Sequence, residues 1–203
     1  MNKETKLSII IPVYNQEKLI RRAVESIPFD LDLEVVIIDD CSTDRTWEAV
    51  RELCRNPKVR GYRLISNQGV ANARNQGINF SKGEYLMMLD SDDYLYTDNF
   101  RLAYKLLDGT DLIYYNLKIN NGNVWRLTDN SKRGWCGAVK FIRRDFLGDI
   151  RYPYEMRTGE DWQFNEDLLA KNPSERFTDI TVTHYNFPRD GSLYDQLIKG
   201  GMK

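Results

Sequence analysis

The chain predicts an α/β protein built on a mostly parallel sheet flanked by helices, with a small antiparallel portion in its second half. Three observations carry this. Apolar runs of strand length alternate with helical periodicity up to about residue 108. Those runs are continuous rather than alternating, as expected of strands buried on both faces. A hairpin signal, Asn121-Gly122, enters only afterwards.

In order, Leu7 to Val13 predicts the first strand, and Asn15 can cap a helix whose apolar face is Leu19, Ile20, Ala23, Val24 and Ile27. Leu33 to Ile38 predicts the second strand, ending in Asp39-Asp40. Ser42, Thr43 and Asp44 then offer caps for a helix carrying Trp47, Val50, Leu53 and Cys54. Arg60 to Ile65 predicts a third strand, Gly69 to Phe80 a helix rich in small residues, and Tyr85 to Leu89 a fourth strand that runs into Asp90-Ser91-Asp92-Asp93. A helix follows from Thr97 or Asp98 to Leu107. In the second half, Leu112 to Ile119 and Val124 to Leu127 predict a hairpin, Ser131 to Arg157 reads as irregular, Glu160 to Ala170 as a helix and Phe177 to Phe187 as a last strand.

The 203 residues are expected to form one domain, with functional halves of about 1–108 and 109–203. Charge is balanced, 29 Lys+Arg against 30 Asp+Glu, which gives no nucleic-acid signal. Cys41, Cys54 and Cys136 are an odd number without metal-type spacing, which predicts a reducing, cytoplasmic setting. No run is long enough to cross a bilayer, and peripheral membrane association stays compatible with the composition.

Five motifs fall at strand or helix ends. Carboxylates as dense as Asp90-Ser91-Asp92-Asp93 repel one another, and a hard divalent cation with oxygen ligands offsets that cost. In open α/β sheets ligands sit at the carboxyl ends of strands, so a metal holding a diphosphate fits the position; an Asp-rich polar turn is the plainer alternative. Within Pro12-Val13-Tyr14-Asn15, Tyr14 could stack on a base and Asn15 bond it, or Asn15 could simply cap. Asp39 and Asp40 could accept from a base N–H or a ribose hydroxyl. Arg74 could point from the small-residue helix toward an anion or a carbonyl, or lie on the surface. Glu160, Asp161 and Trp162 open a helix, where acids also complement the helix dipole.

Together the motifs resemble glycosyltransferase family 2, the inverting enzymes of GT-A type that use nucleotide sugars. The resemblance is carried by residues 8–27 (SIIIPVYNQEKLIRRAVESI), 35–46 (VVIIDDCSTDRT), 67–78 (NQGVANARNQGI) and 83–93 (GEYLMMLDSDD). Residues 141–147 (FIRRDFL), 159–164 (GEDWQF) and 184–193 (HYNFPRDGSL) match more loosely as acceptor-side segment, acidic catalytic motif and closing loop. The resemblance implies the GT-A, Rossmann-like fold of nucleotide-diphospho-sugar transferases, with Tyr14, Asp40 and Arg74 on the base and ribose and Asp39 a weaker neighbour. It also implies Asp90 and Asp92 at ribose and metal, with Asp92 the direct ligand of Mn²⁺ or Mg²⁺, and Asp161 as catalytic base; His184, the single histidine, could complete the metal's ligand set as in some GT-A enzymes, or serve a structural role. Pro12, Asn15, Ser91, Glu160 and Trp162 join the expected substrate site.

The implied reaction moves one sugar from a nucleoside-diphosphate sugar, foremost a uridine one, to a glycan, lipid-linked or other hydroxyl-bearing acceptor. Cys41 stands where the family has glycine. No Gln-x-x-Arg-Trp segment, the mark of processive synthases, follows Asp161, which predicts single transfer. Two rivals remain: a nucleotidyltransferase, for which Pro12-Val13-Tyr14-Asn15 offers no Gly-rich phosphate loop, and a catalytically inactive nucleotide- or carbohydrate-binding module of the same fold. Trp125, Trp135, Tyr152 and Tyr154 are aromatics that could stack on an acceptor sugar or serve as core.

Overall fold

The computed structural model describes residues 5–127, 139–156 and 159–187. Among these, one nine-stranded sheet runs through both halves of the chain. Strand β1 (Leu7–Val13) lies between β2 (Leu33–Asp39) and β4 (Tyr85–Met88), and β3 (Val59–Arg63) pairs beyond β2; all three pairings are parallel. The sheet is buried on both faces because successive residues serve different cores. Ile9, Ile11 and Val13 pack with Ile20, Val24, Ala49 and Val50, whereas Ile10 packs with Ala71, Ile78, Leu86 and Met88. Helices α1 (Ile20–Glu25), α2 (Thr46–Leu53) and α4 (Thr97–Tyr104) thus cover one face, and α3 (Val70–Phe80) with α6 (Glu160–Leu169) the other.

The second half adds antiparallel pairing. Strand β8 (Lys140–Arg143) runs antiparallel to both β4 and β6 (Leu112–Ile119). Strand β9 (Glu175–Tyr185) lies parallel to β6 and antiparallel to the short β5 (Tyr94–Leu95). The predicted hairpin forms between β6 and β7 (Val124–Trp125), with Gly122 at φ 88°, a value few residues other than glycine tolerate.

Three sequence expectations change. The first helix starts at Ile20, and Asn15 does not cap it. The helix after the acidic turn ends at Tyr104 rather than Leu107. The stretch expected to be irregular contains β8 and the single turn α5 (Arg144–Leu147), so a strand inserts between β4 and β6. Trp135, Cys136 and the closing loop from Pro188 to Leu193 lie outside the described residues. No helix among those described is long and apolar enough to cross a membrane.

Candidate active site

The order β3-β2-β1-β4 brings the carboxyl ends of β1, β2 and β4 together, the crevice where open α/β sheets bind ligands. Tyr14 and Asn15 leave β1, Asp39 and Asp40 close β2, and Asp90 follows β4. Pro12 stays inside β1, opposite Ile38. Tyr14 is 43% exposed, so its ring is available to a flat ligand.

The polar groups of the β1 and β2 loops are largely committed to each other. Asn15, at φ 51°, turns its side-chain oxygen onto the Thr43 and Asp44 amides, 2.8 and 3.4 Å away. It therefore serves a turn nearly thirty residues distant rather than its own helix. Asp39 accepts from the Ser42 amide at 3.1 Å and sits 3.2 Å from Arg63 Nε. Each oxygen of the buried Asp40 accepts one backbone N–H, from Gln68 and from Gly69, both at 2.8 Å. Asp40 thus holds the loop leading into α3, and a base contact would have to share oxygens already in use.

Helix α3 lies tight against the sheet. A Cβ on Gly77 would stand 2.2 Å from Ile10 Cγ2, so only glycine fits this approach. One turn earlier on the same side, Arg74 is almost wholly buried. Its Nη1 donates to Asp161 at 2.7 Å and Glu160 at 3.3 Å, and its Nη2 to Asp90 at 3.1 Å. The acid-rich start of α6 and the acidic turn after β4 therefore meet on one guanidinium. Those three carboxylates outweigh the cost of its burial and raise its pKa well above the ordinary arginine value. The guanidinium carbon lies 5.2 Å from the centre of the Tyr152 ring, which stacks on Phe164 at 3.9 Å. Asn75 grips the Tyr152 backbone through both its N–H and its carbonyl.

Within the acidic turn, Ser91 is buried and the Asp92 carbonyl accepts from Arg22 Nη2 at 2.6 Å. Asp93, absent from the sequence-based site, is buried too. Its Oδ1 accepts from the Asn186 amide at 2.8 Å, while Oδ2 has no hydrogen-bond donor among the described residues. Burial first, then the charges of Asp90 and Asp92, push its carboxyl well above the usual carboxylate range. Burial and the Asp161 charge likewise raise Glu160. Arg22 and Asp93 gave no sequence signal beyond membership of a helix and of an acidic run. Trp162 is 55% exposed beside Asp161, and Tyr154 is exposed as well, whereas Tyr152 is core.

The donor set suits a hard cation. The carboxyls of Asp90, Glu160 and Asp161 meet the Arg74 guanidinium, Arg22 holds the Asp92 backbone carbonyl, and one Asp93 carboxyl oxygen is buried without a donor among the described residues. Among the described residues no group of three or more His, Cys, Asp or Glu side chains is arranged to hold a metal. A Mg²⁺-like ion held by one or two carboxylates, substrate phosphate and water needs no such cage. His184 is engaged by neighbouring side chains. Its Nδ1 lies 3.0 Å from Tyr96 Oη, its Nε2 lies 3.0 Å from Asn120 Oδ1, and its ring stacks on Tyr94. The Asn120 oxygen can only accept, so Nε2 carries the proton and Nδ1 accepts from the tyrosine. Burial, then Arg22 and Lys118, lower the His184 pKa and favour that neutral form. Neither nitrogen is left for a metal in this arrangement.

Comparison with known proteins follows the same lines. The profile described as Glycosyl transferase family 2 matches residues 8–167. Poly(ribitol-phosphate) beta-N-acetylglucosaminyltransferase TarS of Staphylococcus aureus is 29% identical over 180 residues, 78% of this chain and 31% of TarS. Hyaluronan synthase of Pasteurella multocida is 43% identical over 110 residues, 52% of this chain and 11% of the synthase. The chain thus spans less than a third of either relative. The crystal structure of S. aureus TarS 1-349 in complex with UDP-GlcNAc superposes with a TM-score of 0.79 at 27% identity, covering 92% of this chain and 60% of that one. The mannosyltransferase PcManGT from Pyrobaculum calidifontis, in complex with GDP-Man and Mn2+, shares the fold with a TM-score of 0.73 at 23% identity, covering 94% of this chain and 59% of that one. With its GT-A fold and the strand-end motifs gathered in one crevice, the chain belongs to glycosyl transferase family 2.

Proposed function

We propose that the chain transfers a single sugar from a UDP-sugar to an acceptor hydroxyl with inversion at the anomeric carbon, assisted by a divalent cation. The observation that carries the reading is the meeting of Asp90, Glu160 and Asp161 on Arg74. It joins the donor-side turn to the acid-rich start of α6, where Asp161 is suited to be a base. The uridine preference is supported by the likeness to TarS, which was crystallised with UDP-GlcNAc. The acceptor is a glycan or another hydroxyl-bearing molecule. A reducing, cytoplasmic setting agrees with Cys41 and Cys54 being free thiols.

The acceptor oxygen bonds to the anomeric carbon as the bond from that carbon to the diphosphate oxygen breaks. UDP departs with the electron pair, and the acceptor proton passes to the Asp161 carboxylate. Tyr14 stacks on the uracil, and Asp90 accepts from the ribose. Asp92 would hold Mn²⁺ or Mg²⁺, which when bound offsets the charge growing on the leaving diphosphate. Trp162, exposed beside the base, offers a face to the acceptor. Asp161→Asn tests the reading: transfer should fall about 10²–10⁴-fold, while UDP binding measured by calorimetry stays unchanged. Wild-type turnover in that variant would overturn the base assignment.

A further inference from the structure

We infer that Arg74 is a positioning residue that acts through Asp161, holding the base carboxylate in one orientation while tying it to Asp90. The inference rests on the reading of Asp161 as the base. It differs from the nucleotide contact that the family resemblance implies for Arg74.

The contacts assign the guanidinium to protein groups. Nη1 is engaged by Glu160 and Asp161, at 3.3 and 2.7 Å, and Nη2 by Asp90 at 3.1 Å. These are charge-assisted bonds, about twice as strong as neutral ones. Without Arg74, the adjacent carboxylates of Glu160 and Asp161 repel each other, and that of Asp161 would turn toward water. With it, Asp161 is drawn to a fixed nitrogen.

The support behind the guanidinium is itself built. Its carbon lies 5.2 Å from the centre of the Tyr152 ring, that ring stacks on Phe164 of the same helix as Asp161, and Asn75 clamps residue 152 to α3. The arginine is therefore braced through Tyr152 against both α3 and the helix that carries the base. A lysine at this position keeps the charge but has no planar fork to reach both sides at once.

Arg74→Lys distinguishes the two roles. A positioning role predicts that kcat falls about tenfold or more while the Kd for UDP with Mn²⁺ stays within about threefold of the parent. A tenfold rise in that Kd, whatever kcat does, would make Arg74 a nucleotide contact and overturn the inference; unchanged kcat would overturn it equally. If Arg74→Lys does not fold, as judged by circular dichroism and Tm, Tyr152→Leu removes the ring behind the guanidinium and is read by the same two criteria. Failure of the base reading shows separately. A fully active Asp161→Asn removes the reading beneath the inference, whereas an inactive Asp161→Asn beside a fully active Arg74→Lys removes the inference alone.

Discussion

Gly77→Ala isolates the packing that sets Arg74 at its height above the sheet. The added Cβ would lie 2.2 Å from Ile10 Cγ2, and ordinary contact begins near 3.4 Å, so α3 or the isoleucine must give by about 1.2 Å, the difference of the two. Ile10 is fully buried in the core and its β-branched side chain is stiff, so most of the adjustment falls on the helix. Overpacking of this kind costs about 1–3 kcal/mol, against a gain of about 1 kcal/mol for alanine over glycine within a helix. The net loss is about 0–2 kcal/mol, which in a domain of this size lowers Tm by a few degrees, at about 2–4 °C per kcal/mol. Activity should suffer more. Arg74 stands one turn away on the same side of α3, and a displacement near 1 Å at a reacting geometry costs about 10²-fold. Thermal denaturation together with initial rates of UDP release from a UDP-sugar would measure both effects. A Gly77→Ala protein with unchanged or raised Tm and parental turnover would refute the close approach and the link from helix height to catalysis.

Other outcomes follow from the same geometry. Burial, ahead of the Asp161 charge, raises the Glu160 carboxyl above its reference value of 4.5, so the folded state holds that proton more tightly than the unfolded chain. The stability it contributes is complete below the unfolded value and is lost as pH rises through the raised folded one. Glu160→Gln, uncharged throughout, should therefore gain Tm relative to the parent as pH climbs from about 4 to 7; a pH-independent difference would contradict the shift. Calorimetry of UDP binding should show that Asp92→Asn reduces the Mn²⁺-dependent affinity to the level seen with chelator. His184→Gln should leave that affinity within about threefold, because both ring nitrogens already bond Tyr96 and Asn120. A tenfold loss in His184→Gln would return the histidine to the metal.

The parallel half of the sheet was legible because its strands are unbroken apolar runs and because the polar residues at their ends stand out against them. The small residues of α3 serve a close approach to the sheet, which Gly77 makes. Strand β8 was not legible. Lys-Phe-Ile-Arg is short and charged at both ends, and its insertion between β4 and β6 depends on long-range pairing that no local pattern encodes. Asn15 misled for a related reason. Its composition says cap, but the turn it caps belongs to another strand. At the site, the sequence named Arg74, Asp90, Glu160 and Asp161 separately. That they share one guanidinium spans up to 87 residues of chain and needed coordinates. The engagement of His184 by Tyr96 and Asn120 is of the same kind, since strand register, not residue type, decides which partners a lone histidine meets.

Inverting sugar transfer can be tested without a known acceptor, because water can take the acceptor's place. Real-time proton NMR of the protein with UDP-GlcNAc, UDP-glucose or UDP-galactose and Mn²⁺ would follow the anomeric signals of the first free sugar formed. A single displacement on these α-linked donors releases the β anomer first, before mutarotation mixes the two, and Asp161→Asn should slow that release. Release of the α anomer first would contradict inversion and the role given to Asp161, and no turnover of any donor, with water or with a panel of glycan acceptors, would contradict the transferase reading itself.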